Sequence, residues 1–315
     1  MNITVLDKAT LGDDISFEPL EKLGSLTVYE STPADKAAER ISDTVVVTNK
    51  VKLTAEVLGK ANNLRLICLA ATGYDNVDTA YCRDHGIAVC NIVGYSTDSV
   101  AQVTAAMASS LVCRLPEYTA FVTDGSYARS GCANRLTPTY HEMSSLTWGV
   151  VGLGNIGRKV AGIAEAFGCR VAANRLHVSD GKYECLPLDD LLEQSDIVSL
   201  HCPLTDATRG MISRERIAKM KKTAILINMS RGAVTDEKAV ADAIKTGDIG
   251  GFGCDVYSSE PLSGDNPIAS IAGMPNVILT PHMAWGAHEA RMRCIDEIAE
   301  NIRSFTSGGV RSRIV

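Results

Sequence analysis

Residues 147–157 read TWGVVGLGNIG. An apolar run from Trp148 to Val151 meets a turn that carries Gly152, Gly154 and Gly157 in the spacing G-x-G-x-x-G. A helix-like stretch, Asn155 to Phe167, follows directly. Strand, glycine turn and helix in this order open a dinucleotide-binding βαβ unit. The first glycine permits the tight turn. The second lets a pyrophosphate approach the backbone, and the third lets helix and strand pack closely. The helix N-terminus then aims amide N–H groups at the phosphates. An ordinary glycine-rich turn is the bland alternative, and the flanking elements argue against it.

Working outward, CRVAAN, DIVSLHCP, TAILINMS, GGFGCDV and NVILTPH read as further strands. The spacing predicts helices at Asn155–Phe167, Leu188–Gln194, Ser213–Met220 and Asp236–Thr246. Six strands with connecting helices make a doubly wound parallel sheet. A separate alternation fills the first third: ITVLD, LTVYE, TVVVTN, LRLICLA and IAVCNI as strands, with helices at Ala34–Ile41 and Thr54–Asn62. These strands are rich in Val, Ile and Leu without clean alternation, as in parallel sheets covered on both faces. The fold class is therefore α/β, with two doubly wound, Rossmann-like domains.

Between the halves, Ser99–Val112 reads as a helix with Ser96, Thr97 and Asp98 as capping candidates. Residues Arg114–Ser144, with Gly, Pro, Ser and Tyr, read as irregular and long for a linker. They suit an arm that packs on another subunit, or a surface excursion. Ala287–Ser307 reads as one amphipathic helix. No solenoid repeat is present.

The 315 residues suit two domains, and 45% hydrophobic against 22% charged residues can build a sizeable core. Net charge is −6 with no basic block, which argues against nucleic acid or an anionic membrane as partner. The opening MNITVLDKAT reads as a strand, not as a basic-then-apolar signal, and no apolar run could span a bilayer. The ten cysteines are scattered singly with no CxxC pair. They are expected to be reduced thiols of a cytoplasmic protein. No metal site is expected, because no His/Cys/Asp cluster has ligand spacing.

The second strand of the dinucleotide half, in GCRVAANRLH (Gly168–His177), lacks the acidic residue that would bond a ribose 2′-hydroxyl. Arg175 stands there instead, flanked by Asn174 and His177. An arginine can pair with a 2′-phosphate. NADP(H) is thus the favoured coenzyme, with NAD(H) possible if the arginine only stacks on adenine.

Three later segments follow predicted strands, where open α/β sheets hold ligands. They are INMSRGAVTDE with Arg231, GCDVYSSEPL with Asp255 and Glu260, and ILTPHMAWG with His282. Arginine, carboxylate and histidine form a kit for reducing a 2-keto acid. The arginine clamps a carboxylate, the histidine delivers a proton and the acid orients it. Singly, each has a duller reading as a surface ion pair, a loop charge or a turn histidine. Their shared order on one fold favours the joint reading.

The ordered set ATGYDNVD (Ala71–Asp78), GLGNIG, HCPLT, NMSRGAVTDE, DVYSSEP and PHMAW resembles the D-isomer-specific 2-hydroxyacid dehydrogenase family over nearly the whole chain. The resemblance implies that Arg231, Glu260 and His282 are catalytic. It implies substrate contacts from Thr72, Gly73, Tyr74, Arg231, His282 and Trp285. Coenzyme contacts are expected from Val100, Gly152, Gly154, Asn155, Ile156, Gly157, Asn174, Arg175, Cys202, Pro203, Thr205, Thr208, Met229 and Asp255, the last holding the nicotinamide carboxamide. It also implies a nucleotide domain (99–285) inserted into a flavodoxin-like substrate domain (1–98 and 286–315), and a homodimer. GYSTDSVAQ and HMAW look most like glycerate dehydrogenases, also called hydroxypyruvate reductases. Hydroxypyruvate or glyoxylate is then the expected substrate. A reductase of larger branched or aromatic 2-keto acids is the enzyme alternative, decided by the space around Tyr74, Tyr95 and Trp285. A non-catalytic dinucleotide sensor is the alternative from another class.

Overall fold

The computed structural model describes residues 1–175 and 181–315, in two compact units. The first unit comprises Met1–Ser96 with Gly286–Val315. Its strands are β1 (Asn2–Val5), β2 (Ser25–Val28), β3 (Val45–Thr48), β4 (Leu66–Leu69) and β5 (Ala88–Cys90). They form one parallel sheet in the order β2-β1-β3-β4-β5. Every residue of β3 and β4 is buried, as expected of runs that are apolar but for Thr48. Edge strand β2 is largely exposed. Val46, Ile67, Leu69 and Val89 pack with Ile41, Leu58 and Cys82 from the covering helices.

The second unit, Thr97–Trp285, holds β6 (Thr147–Val151), β7 (Arg170–Asn174), β8 (Glu184–Cys185), β9 (Ile197–Leu200), β10 (Ile225–Asn228), β11 (Gly251–Cys254) and β12 (Val277–Leu279). All are parallel, in the order β12-β11-β10-β9-β6-β7-β8. Successive residues serve opposite faces. Ile197 and Ile225 enter the core with Trp148 and Val150, while Val198 and Leu226 enter the core with Phe252 and Leu200. The chain runs outward from β6 through β7 and β8, then returns beside β6 as β9 and runs the other way. The switch point lies at the ends of β6 and β9, where such sheets hold ligands.

Several boundaries differ from expectation. The sheet has a seventh strand, β8, whose two exposed residues carry no periodic signal. Residues 114–144 are not irregular throughout: Leu115–Thr123 and Ser126–Ser130 are helical. Pro116 sits in the first turn of the former, where proline is compatible with a helix. The helix expected from Ser99 begins at Thr97, so Thr97 and Asp98 are its first residues, and Asp98 complements the helix dipole there. Helices expected at 54–62 and 213–220 shorten to Ala55–Leu58, capped by Thr54, and Arg214–Ile217. His177, which flanks Arg175 in the sequence, lies outside the described residues.

Candidate active site

The glycine turn joins β6 to the helix Asn155–Ala166. Gly152 has φ +94°, and a Cβ there would lie 2.6 Å from Cys202 N. A Cβ on Gly157 would lie 2.0 Å from Gly152 O, so helix and turn touch backbone to backbone. Gly154 differs, because a Cβ there would meet nothing within 4 Å. Two glycines are thus required by packing. The third faces open space at a helix N-terminus, as a phosphate approaching the backbone requires. These residues fit a dinucleotide. Asn155 is exposed and Ile156 half-buried at the same helix start.

The end of β9 forms the neighbouring wall. His201 N donates to Val151 O at 2.7 Å. Both ring nitrogens of His201 are buried without a hydrogen-bond partner, and burial pushes its pKa down to about 3. Pro203 and Thr205 are exposed, and Thr208 is buried. Thr208 Oγ1 donates to Pro203 O at 2.7 Å and accepts from Thr205 N at 2.8 Å, which closes the 203–208 turn. Val100, Cys202 and Met229 are buried and apolar. At the end of β7, Asn174 O accepts from Gly152 N at 2.9 Å, and Asn174 Nδ2 donates to Leu186 O at 2.9 Å. The amide side chain thus braces its own sheet edge, while Arg175 beside it is exposed.

Arg231 follows β10 on a turn built by its neighbours. Ser230 N donates to Asn228 Oδ1, Arg231 N to Ser230 Oγ, and Asn228 Nδ2 to Arg231 O. A Cβ on Gly232 would lie 2.0 Å from Tyr257 C. Only glycine lets this turn rest against the Tyr257–Ser258 backbone, which leads to Glu260. Tyr257 N donates to Glu260 Oε1 at 3.1 Å. The other oxygen, Oε2, meets His282 Nδ1 at 2.7 Å. The His282 and Glu260 side chains are 22% and 30% exposed, so the pair is partly shielded yet reachable.

His282 has φ +53°, a left-handed conformation rare for a residue with a side chain. Asp255 maintains it. This buried carboxylate accepts Thr280 Oγ1 at 2.5 Å and Met283 N at 2.9 Å on Oδ1, and Ala284 N at 3.0 Å on Oδ2. Burial pushes the Asp255 carboxyl up, and the hydrogen bonds oppose that rise. Ser99 Oγ donates to Ala284 O, tying the turn to the helix Thr97–Val112. Trp285 is half-buried against the same core. Thr280, Gly232 and Tyr257 escaped the sequence reading. The R-G pair after a predicted strand was the available signal for Gly232; a threonine and a tyrosine without a partner pattern carried none.

In the first unit, Thr72 and Gly73 follow β4 and Tyr74 is 45% exposed. Tyr95 is 7% exposed. Among the described residues no cluster of three His, Cys, Asp or Glu side chains is placed to hold a metal ion. No described helix is long and apolar enough to cross a membrane.

Comparison with known proteins bears on this geometry. The family profile described as D-isomer specific 2-hydroxyacid dehydrogenase, NAD binding domain, matches residues 105–284. A hydroxypyruvate reductase of Blautia hydrogenotrophica is 35% identical, over 98% of each chain. An acyclic imino acid reductase solved with NADPH and D-Arg superposes with TM-score 0.87 at 29% identity, over 100% of both chains. A D-lactate dehydrogenase from Aquifex aeolicus, solved with NAD and lactic acid, gives TM-score 0.84 at 31% identity, over 99% of this chain and 97% of that one.

Proposed function

This chain belongs to the D-isomer-specific 2-hydroxyacid dehydrogenase family, and we propose that it reduces a small 2-keto acid, hydroxypyruvate or glyoxylate, with NADP(H) favoured over NAD(H). The observation that carries the reading is the 2.7 Å contact between His282 Nδ1 and Glu260 Oε2, at strand ends of the sheet that bears the glycine turn.

A nicotinamide coenzyme, when bound, supplies the hydride for reduction. The residues to hold it are Gly152, Gly154, Asn155, Ile156 and Gly157 at the phosphates, and Val100, Cys202, Pro203, Thr205, Thr208 and Met229 along its length. Asp255 Oδ2 accepts one described N–H and keeps lone-pair capacity for the carboxamide.

Glu260 fixes the ring of His282 through Nδ1, which leaves Nε2 to give its proton to the substrate carbonyl oxygen. Tyr257 N–H holds Glu260 in turn. The family resemblance assigns substrate contacts to the Arg231 guanidinium and Trp285 in the second unit, and to the Thr72 and Gly73 backbone and Tyr74 in the first. Arg175, exposed where a carboxylate would repel a 2′-phosphate, supports the NADP(H) preference.

The exposed Leu115, Val122, Tyr127, Leu136 and Tyr140 lie within 26 consecutive residues and suit a homodimer contact. The ten free cysteines suit a reducing compartment, the cytoplasm.

Initial rates of hydroxypyruvate and glyoxylate reduction with NADPH and NADH test the reading. Turnover with an NADPH preference that Arg175→Ala removes is expected. An NADH preference would overturn the coenzyme assignment. Inactivity with both acids would shift it to bulkier 2-keto acids, and tight coenzyme binding with no turnover of any 2-keto acid would favour the sensor.

A further inference from the structure

Residues 71–78 follow β4 and include Thr72 and Gly73. The segment is anchored at both ends. At the first, Thr72 Oγ1 donates to Ile92 O at 2.6 Å and Asn91 Nδ2 donates to Thr72 O at 2.7 Å. Asn91 O accepts from Asn301 Nδ2 at 3.1 Å, which reaches the C-terminal helix His288–Thr306. At the second, Asn76 Nδ2 donates to Asn49 O at 3.3 Å and to Val51 O at 3.0 Å. Leu53 N donates to Asn76 O at 2.8 Å, and Asp78 N to Leu53 O at 2.9 Å.

The 49–53 segment that receives Asn76 is itself held by one carboxylate. Asp7, just past β1 and 3% exposed, accepts Asn49 N at 3.0 Å on Oδ1 and Lys50 N at 2.6 Å on Oδ2. Asn49 Nδ2 donates to Thr10 Oγ1, and Thr10 Oγ1 to Asp7 O, so the strand end is cross-braced. Between the two anchors Tyr74 and Asp75 are exposed. A segment with fixed ends and an open middle presents its backbone in one geometry. Such pre-organisation lowers the ordering cost of binding a small anion.

We propose that Asp7 and Asn76 are positioning residues for substrate: Asp7 fixes the 49–51 backbone, Asn76 reads that backbone, and together they set the Thr72–Gly73 amides for the 2-keto acid carboxylate. The inference rests on the proposed function, which assigns those amides to the substrate. Neither side chain touches substrate or coenzyme in this account. Burial pushes the Asp7 carboxyl up, while N–H donors from Lys50, Asn49 and Val51 and the Thr48 hydroxyl oppose the rise. Those donors are why an uncharged replacement is not equivalent. In Asp7→Asn the amide NH₂ has donors to face, and one contact is lost.

The test is steady-state kinetics of wild type, Asp7→Asn and Asn76→Ala with hydroxypyruvate or whichever 2-keto acid the wild type reduces, beside NADPH binding by fluorescence. Both variants should raise KM for the 2-keto acid about tenfold, with kcat within about twofold and the NADPH Kd unchanged. A role in stability alone would lower the thermal midpoint and the active fraction but leave KM in place, and that result would overturn the inference. If Asp7→Asn fails to fold, Asn76→Ala decides by the same readout. A wild type without turnover would end the functional reading and this inference with it. An active wild type with unmoved KM in the variants would end this inference alone.

Discussion

Asp7 and Asp255 occupy matching places in the two units. Each lies just past a parallel strand, each is 3% exposed, and each accepts backbone N–H groups from the loop after the adjacent strand. They differ in what the held loop carries. The loop held by Asp255 contains His282 itself, in a left-handed conformation. The loop held by Asp7 carries Asn49, Lys50 and Val51, none assigned to the reaction, and passes its geometry on through Asn76. One local device thus serves chemistry directly in the second unit and through an intermediary in the first.

The largest effect that sharpens this contrast belongs to Asp255→Ala. It leaves two N–H groups and the Thr280 hydroxyl without their acceptor and frees the 280–284 turn. It should lower kcat about 100-fold and cost about 1–3 kcal/mol of stability, read by steady-state kinetics and urea unfolding. The Asp7 variant should act on KM, and equal effects on kcat from both would erase the distinction. Next is Gly232→Ala. Its Cβ would stand 2.0 Å from Tyr257 C, so the Arg231 turn must move. A loss of about 2 kcal/mol or more is expected, with a raised KM for the 2-keto acid; an unchanged thermal midpoint would contradict the close approach. Glu260→Gln keeps the shape beside His282 but removes the charge. It should lower kcat about tenfold with coenzyme binding intact, and full activity would count against the pairing.

The smallest effect concerns a group unlike either aspartate. The ring nitrogens of His201 are buried, and burial pushes its pKa down to about 3 from an ordinary 6.5. The unfolded chain takes up a proton as pH falls below 6.5 while the native state refuses it until about 3, so stability is complete above that window and lost through it. Asp7 and Asp255, raised by burial, contribute with the opposite sign. The slope of unfolding midpoint between pH 6.5 and 4 should therefore be shallower in His201→Leu than in wild type, whatever the variant's absolute stability. Parallel slopes would mean the histidine titrates normally in the native state.

Much of this was legible in the sequence, for physical reasons. Fully buried parallel strands leave mostly apolar runs, so β3, β4, β9 and β10 were visible. The glycine turn was visible because close backbone approach admits no side chain at Gly152 or Gly157. The pairing of Glu260 with His282 was legible because both residues follow strands of one sheet. The two-residue β8 was not, since two exposed polar residues show no period. The helices after Arg114 were not, because proline reads as a breaker unless its place in a first turn is known. Asp7 and Asn76 were illegible as a pair. They are far apart in the chain, and only the order β1-β3-β4 brings their loops together.

The measurement closest to the central claim is hydroxypyruvate reduction by wild type and His282→Ala at saturating NADPH, with NADPH affinity measured on the same preparations. Turnover by the wild type, a loss of about 100-fold or more in the variant and equal coenzyme affinity are expected. Comparable turnover in the two proteins would contradict it.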